Sequence, residues 1–304
     1  SSPRRAEEIC DQIEALSCLE PDENLQYLIL GDFADGDAPH APGDAEILER
    51  TRQRVREINA RAGRERCFYL HRERQLLEAD RRWMGRDRKR GALSDLNRLL
   101  LGQPGAEAAF DAEGAACRSL RGKFRFVLTI DADTRFLPGE ARRLIGTLVH
   151  PLNAPRRVPA AAAENPLGKS APGAAAQPVR RGYAVLQPQM EMAASACAND
   201  FVRLFAGNGG LNTYPTSVSN FWQDVTGEGI FGGKGLYDVR AFSAALDSAL
   251  PEGRILSHAL IEGTLAKAAL VSDGCFYDGV PATLGGWLKR LNRWIRGDWQ
   301  LLPV

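Results

Sequence analysis

The 304-residue chain has no uninterrupted apolar run of about 18 residues, the length a bilayer-spanning helix needs, so none of it is expected to cross a membrane. Its cysteines (Cys10, Cys18, Cys67, Cys117, Cys197 and Cys275) are scattered and form no Cys-x-x-Cys. That spacing excludes a zinc ribbon or a disulfide framework and reads as reduced cytosolic thiols. Excess charge of either sign is missing: 39 Lys+Arg against 38 Asp+Glu leave +1, and no global field draws the chain to nucleic acid. The start, Ser1-Ser-Pro-Arg-Arg5, lacks an initiator Met and a signal-peptide core, so the chain reads as a segment of a longer protein. Gly168-Lys169-Ser170 lacks the leading glycine of a phosphate loop. What remains, 44% hydrophobic and 25% charged, is the make-up of an ordinary globular protein of one large or two small domains.

Apolar spacing predicts helices over residues 4–18, 44–62, 92–101, 192–205, 258–268 and 285–300. Strands are predicted at Leu25–Leu30, Cys67–His71, 124–130 and Gly182–Gln187. The opening order α-β-α-β-α-β indicates a doubly wound, mostly parallel sheet flanked by helices. An Ala/Pro/Gly-rich stretch at 154–181 reads as a surface insertion between a 1–150 half and a 182–304 half of a single domain. Gly227–Gly235 is too glycine-rich for anything but a loop.

Phe126-Val-Leu-Thr-Ile-Asp131-Ala-Asp133 is an apolar run stopped by two carboxylates. It reads as a buried central strand, and alternation along a strand would aim Asp131 and Asp133 the same way at its carboxyl end. Ligands favour that edge of an α/β sheet. Two adjacent carboxylates repel unless a cation joins them, and hard oxygen ligands suit Mg²⁺ or Mn²⁺ shared with a diphosphate. An exposed Asp-x-Asp turn would use the same residues; the buried strand before them favours the metal site.

Near the other end, Arg290-Leu-Asn-Arg293-Trp294 places two guanidinium forks on one helix face, where they suit a pyrophosphate, beside an indole that offers a flat surface to a sugar ring. An amphipathic helix with solvated arginines is the alternative, and the pairing with Asp131 and Asp133 weighs against it. Arg81–Arg90 carries six cations and one acid. Alone it would suggest nucleic-acid contact, but with near-zero net charge a nucleotide diphosphate explains it as well. Lys234, in the glycine-rich loop, is placed to meet a phosphate or an acceptor, and Glu228 is a second carboxylate for an acceptor site.

The order of Asp32 and Asp35, the Lys89-Arg90-Gly91…Leu96-Asn97 helix, Asp131-Ala-Asp133 and Arg290-x-x-Arg293-Trp294 resembles that of processive family 2-type glycosyltransferases. Trp83–Gly91, His150-Pro-Leu-Asn153, Gly229-Ile-Phe-Gly-Gly-Lys-Gly-Leu-Tyr-Asp238 and Ile255-Leu-Ser-His258 narrow the resemblance to the central glucosyltransferase region of cyclic β-1,2-glucan synthases. It covers nearly the whole chain apart from the insertion.

The resemblance implies a GT-A type fold, with a first strand that residues 1–24 do not supply and that is expected upstream. It implies inverting transfer of glucose from UDP-glucose to the 2-hydroxyl of a growing β-1,2-glucan. It assigns Asp32 or Asp35 to uracil or ribose, Lys89 and Arg90 to the nucleotide, Asp131 and Asp133 to metal and donor, and Arg290, Arg293 and Trp294 to diphosphate and acceptor. It also implies membership of a larger, multi-pass synthase at the cytoplasmic face of the bacterial inner membrane. One departure stands out. Where the family resembles Ser-His-Asp-Leu-Leu-Glu-Gly, this chain has Ser257-His258-Ala259-Leu260-Ile261-Glu262-Gly263, with alanine at the place of the proton acceptor. Either Glu262, a helical turn on, is the catalytic base, or the chain is a silent UDP-sugar-binding module. A sugar nucleotidyltransferase shares the sheet and acidic pair but not the Arg-x-x-Arg-Trp segment.

Overall fold

A computed structural model of the chain describes residues 3–77, 81–111, 114–157, 177–193, 196, 199–205, 221–246, 249 and 259–300. They fall into two compact units, Ser1–Phe124 and Arg125–Val304. Asp131 and Asp133 therefore belong with the later half of the chain, and Asp32 and Asp35 with the earlier unit. Residues 158–176 of the insertion, Ser257 and His258 lie outside the described residues.

The first unit runs α1 (Pro3–Leu19), β1 (Tyr27–Asp32), α2 (Asp44–Ala62), β2 (Cys67–Arg72), a hairpin of β3 (Gln75–Leu77) and β4 (Arg82–Met84), α3 (Arg88–Leu100) and α4 (Gly114–Leu120). β1 and β2 pair in parallel from Tyr27↔Cys67 to Asp32↔Arg72. A parallel pair needs a crossover, and α2 supplies it. Leu48, Thr51, Val55 and Ile58 repeat at three and four residues along α2 and are buried. Leu48, Val55 and Ile58 form the core of this unit with Cys10, Ile13, Phe33, Cys67 and Tyr69. Every residue of β2 is buried, as expected of a parallel strand covered on both faces. At the end of α2, Gly63 (φ 67°) donates its N–H to the Ala60 carbonyl, a left-handed stop that favours glycine.

The second unit contains β5 (Phe126–Thr129), β6 (Arg135–Phe136), α5 (Glu140–Val149), β7 (Arg156–Arg157), β8 (Val179–Arg181), β9 (Val185–Met192), α6 (Asp200–Phe205), α7 (Phe221–Thr226), β10 (Gly235–Asp238), α8 (Val239–Leu246), α9 (Ala259–Leu265), β11 (Ala268–Asp278) and α10 (Leu284–Trp299). β7 and β8 pair at the base of the insertion. The main sheet has the order β5-β10-β9-β11-β6. Leu144 and Leu148 of α5 pack on Leu186, Leu236, Ala269, Val271 and Phe276 of that sheet.

Here the expected mostly parallel sheet is corrected to a mixed one. Among the described strands of this sheet only β9 and β11 run parallel; β5–β10, β10–β9 and β11–β6 are antiparallel. β5 also lies at the sheet's edge rather than its centre. An apolar run reports that a strand is covered, but not the direction or number of its neighbours. Two predicted helices shorten for a related reason. β9 continues through Met192, and α6 begins only at Asp200, capped by the Asn199 side chain accepting from the Val202 N–H (2.8 Å). α9 stops at Leu265, and Ala268 already belongs to β11.

Candidate functional site

The pairings set the direction of the second unit's sheet. β5, β9 and β11 all point the same way, so their carboxyl ends share one edge, where β10 begins (Thr129↔Gly235). The acidic pair sits there, but not on a strand. β5 ends at Thr129, and Asp131–Thr134 close a turn in which the Thr134 N–H donates to the Asp131 carbonyl (3.0 Å) and the Asp131 N–H to Thr134 Oγ1 (3.3 Å). Alternation along a strand therefore does not govern where the two carboxylates point. The turn does, and it leaves Asp131 partly exposed and Asp133 exposed while burying Thr134 completely.

Asp278, the last residue of β11, anchors this turn. Its Oδ1 accepts from Thr134 Oγ1 (2.6 Å), and its Oδ2 pairs with the Lys234 ammonium. The same ammonium lies 3.1 Å from Asp131 Oδ2. Lys234 precedes β10 and has a side chain only 10% exposed, so it is enclosed between the two carboxylates. The next residue after Asp278 links the site to α10. A β-carbon on Gly279 would lie 3.2 Å from Asp133 Oδ2, and Arg290 donates to the Gly279 carbonyl (3.3 Å). The Arg290 guanidinium also lies over the Trp294 ring, 5.1 Å from its centroid. α10 is started by Thr283, whose hydroxyl accepts from the Gly286 N–H, and it leaves Arg293 exposed. Asp131, Asp133, Lys234, Arg290 and Trp294, distant in sequence, thus meet around the Asp278–Gly279 corner.

The remaining expected residues of this unit lie around the glycine-rich loop. Gly229 is pressed against the start of β11, its N–H donating to the Ala268 carbonyl (2.7 Å), and Glu228 beside it is half-buried. Ala259 is the first residue of α9, and a β-carbon on Gly233 would sit 3.7 Å from the Ala259 Cβ, one residue from Lys234. Glu262 is buried one turn further along.

In the first unit the expected nucleotide residues are engaged with one another's neighbours. Both Asp32 oxygens accept from Arg72, Nε to Oδ1 at 2.8 Å and the terminal nitrogen to Oδ2 at 2.6 Å. Arg72, 3% exposed, also binds Asp95 (3.0 Å) and the carbonyls of Arg86 and Arg88. Asp35 pairs with Arg88 (2.7 Å), Arg86 with Asp95 (2.9 Å) and Arg90 with Asp87 (3.0 Å), while Lys89 is exposed. The basic run 81–90 is thus balanced by its own Asp87 and by Asp35 and Asp95 from outside it.

Sequence reading missed Asp278, Thr134, Arg72 and Asp95. Asp278 carried a signal: like Asp131, it follows a short apolar run, Cys275-Phe-Tyr277, and a glycine comes after it. Arg72 and Asp95 carried none, since they become neighbours only when β2 and α3 fold together. Among the described residues no group of three or more His, Cys, Asp or Glu side chains gathers to hold a metal. Asp131 and exposed Asp133 are hard oxygen donors that fit Mg²⁺ or Mn²⁺ in kind, so the other ligands of such an ion would come from water or a substrate phosphate. Among the described residues no helix is long and apolar enough to cross a membrane.

No family model matches the chain. It is, however, 37% identical over 302 residues to the cyclic beta-(1,2)-glucan synthase NdvB of Rhizobium meliloti (strain 1021), a match covering 98% of this chain. The chain is related to a region of the cyclic β-(1,2)-glucan synthases. It spans only 10% of the length of that relative. The matched stretch therefore takes in residues of both units.

Proposed function

We propose that the chain is the sugar-transferring region of a larger, membrane-embedded glucan synthase, working at the cytoplasmic face of the membrane. Its reaction is the inverting transfer of glucose from UDP-glucose to the 2-hydroxyl of a growing β-1,2-glucan. The observation that carries this reading is the meeting of Asp131, Asp133, Lys234 and Arg290 at one sheet edge, alongside the relatedness to a synthase. Asp131 and Asp133 would hold Mg²⁺ or Mn²⁺, which when bound supplies Lewis-acid neutralisation of the diphosphate. Arg290 and Arg293 offer guanidinium forks to the same diphosphate. Trp294, 40% exposed, offers its free face to a sugar ring. Asp32, Asp35, Lys89 and Arg90 are the nucleotide residues on this reading, Asp32 being held in one orientation by Arg72.

In an inverting transfer a carboxylate takes the acceptor hydroxyl proton as that oxygen attacks the anomeric carbon from the face opposite UDP, and no covalent enzyme intermediate forms. Ala259 cannot do this. Glu262 is the nearest carboxylate along α9, yet it is buried. Ala259 favours a second reading, a UDP-sugar-binding module that holds donor without transferring it. One assay separates the two: the chain is mixed with UDP-glucose, Mg²⁺ or Mn²⁺ and a β-1,2-glucan primer. UDP release that requires primer supports transfer, and UDP-glucose binding without release supports the silent module. Ala259→Asp is expected to raise primer-dependent release, and an unchanged rate would remove position 259 from the chemistry.

A further inference from the structure

The setting of Lys234 is not accounted for by an acceptor-binding role, because its ammonium is turned inward onto carboxylates. It is flanked by Gly233 (φ 83°) and Gly235 (φ 148°), backbone conformations that L side chains rarely adopt. At Gly235 a β-carbon would also lie 2.1 Å from the Leu186 carbonyl oxygen. The Gly-Lys-Gly sequence therefore lets the chain press against β9 and aim one long side chain across the carboxyl edge. That side chain ends between Asp278 Oδ2 and Asp131 Oδ2. Asp278 is fixed in turn by Thr134 Oγ1, and its carbonyl accepts from the Ala193 N–H (2.9 Å). Two carboxylates on one short turn repel each other, and an ammonium held against one of them relieves that repulsion.

We infer that Lys234 is the built-in cation of the donor site and Asp278 its anchor. Through Thr134 and Lys234, Asp278 holds the turn that carries Asp131 and Asp133, and the ammonium adds a fixed positive charge beside a nucleoside diphosphate. This rests on the donor-site reading above. It narrows the partner of Lys234 from a phosphate or an acceptor to the diphosphate and adds Asp278 as a positioning residue that touches no substrate. A lysine has three donors. Two are directed at Asp131 and Asp278, and among the described residues the third has no acceptor and is left for a phosphate oxygen.

The test compares the chain with its Lys234→Met, Lys234→Arg and Asp278→Asn variants, with Asp273→Asn, an exposed ion-pair partner of Arg143 away from the turn, as control. UDP and UMP binding are measured by calorimetry in Mg²⁺, and exchange of the Thr134 amide by NMR. Lys234→Met should weaken UDP binding about tenfold while changing UMP binding far less, because a fixed cation acts on the second phosphate. Its Thr134 amide should exchange about tenfold faster as the turn loosens. Lys234→Arg should restore both, and Asp278→Asn should loosen the turn as Lys234→Met does. Wild-type Thr134 exchange in Lys234→Met would overturn the inference, as would Lys234→Arg behaving like Lys234→Met. If Asp278→Asn fails to fold, the two Lys234 variants decide. If the unaltered chain binds neither UDP nor UDP-glucose, the donor-site reading falls, and Thr134 exchange alone decides whether Lys234 and Asp278 hold the turn.

Discussion

Asp32 and Arg72 are the last register pair of the β1–β2 ladder, and they face each other through two hydrogen bonds of 2.8 and 2.6 Å. Arg72 is almost wholly buried and its charge is balanced from two directions, by Asp32 on the neighbouring strand and Asp95 on α3. Removing one partner of a buried pair leaves the others uncompensated. Arg72→Met should therefore cost about 3–5 kcal/mol, read as a lowered urea midpoint. Asp95→Asn, which keeps an acceptor and loses only the charge, should cost less. Equal losses for the two variants would show that packing, not charge balance, sets the cost.

Two glycine-to-alanine substitutions should move stability in opposite directions. A β-carbon at Gly91 would lie 1.9 Å from the Arg86 carbonyl oxygen and 3.0 Å from Arg72, so Gly91→Ala must displace the loop that encloses the Arg72 guanidinium. A loss of about 1–3 kcal/mol is expected. Gly146, on the exposed side of α5, has nothing within 4 Å of the added carbon. There alanine should stabilise by about 0.5–1 kcal/mol, since glycine is the poorer helix former. Thermal melts of the two variants check both signs.

His71 should make the first unit acid-sensitive. It lies on β2 with its ring 4.0 Å from that of Phe33, and among the described residues its Nδ1 has no hydrogen-bond partner. Burial pushes its pKa down from 6.5 to about 4, against the opposing pull of Asp32 and Asp111. Between those values the unfolded chain binds the proton and the folded chain does not. Stability is therefore fully present above about pH 6.5 and falls as the pH drops toward 4, by up to about 3 kcal/mol. Urea unfolding at pH 7 and pH 5 measures the loss, and His71→Gln should flatten this part of the profile.

Asp133→Asn tests the metal. If Asp131 and Asp133 hold a divalent ion against the diphosphate, the variant should weaken UDP-glucose binding in Mg²⁺ by about tenfold or more and leave binding in EDTA nearly unchanged. An equal effect in both conditions would show that Asp133 acts on the sugar or the nucleotide directly.

Much of the architecture could be read along the chain because it depends on local periodicity. The apolar repeats of α2 and the apolar start of β2, Cys67–Leu70, mark a covered βαβ unit wherever they occur. The helix of residues 285–300 was readable in the same way. The direction of the second sheet was not, because an apolar strand looks the same beside a parallel or an antiparallel neighbour. A turn was one of the two readings of Asp131–Asp133, but its anchor was hidden: Asp278 lies 144 residues from Thr134.

The sequence by itself determined which residue types were available: two carboxylates after an apolar strand, a lysine between glycines, and two arginines with an indole on a helix. The tertiary structure decided which of them are partners. It turned Lys234 inward onto Asp131 and Asp278, and it set Arg72 against Asp32 and Asp95. The reason is physical. Propensity and periodicity act over a few residues, whereas a buried charge must find its counter-ion wherever the fold brings one within hydrogen-bond reach.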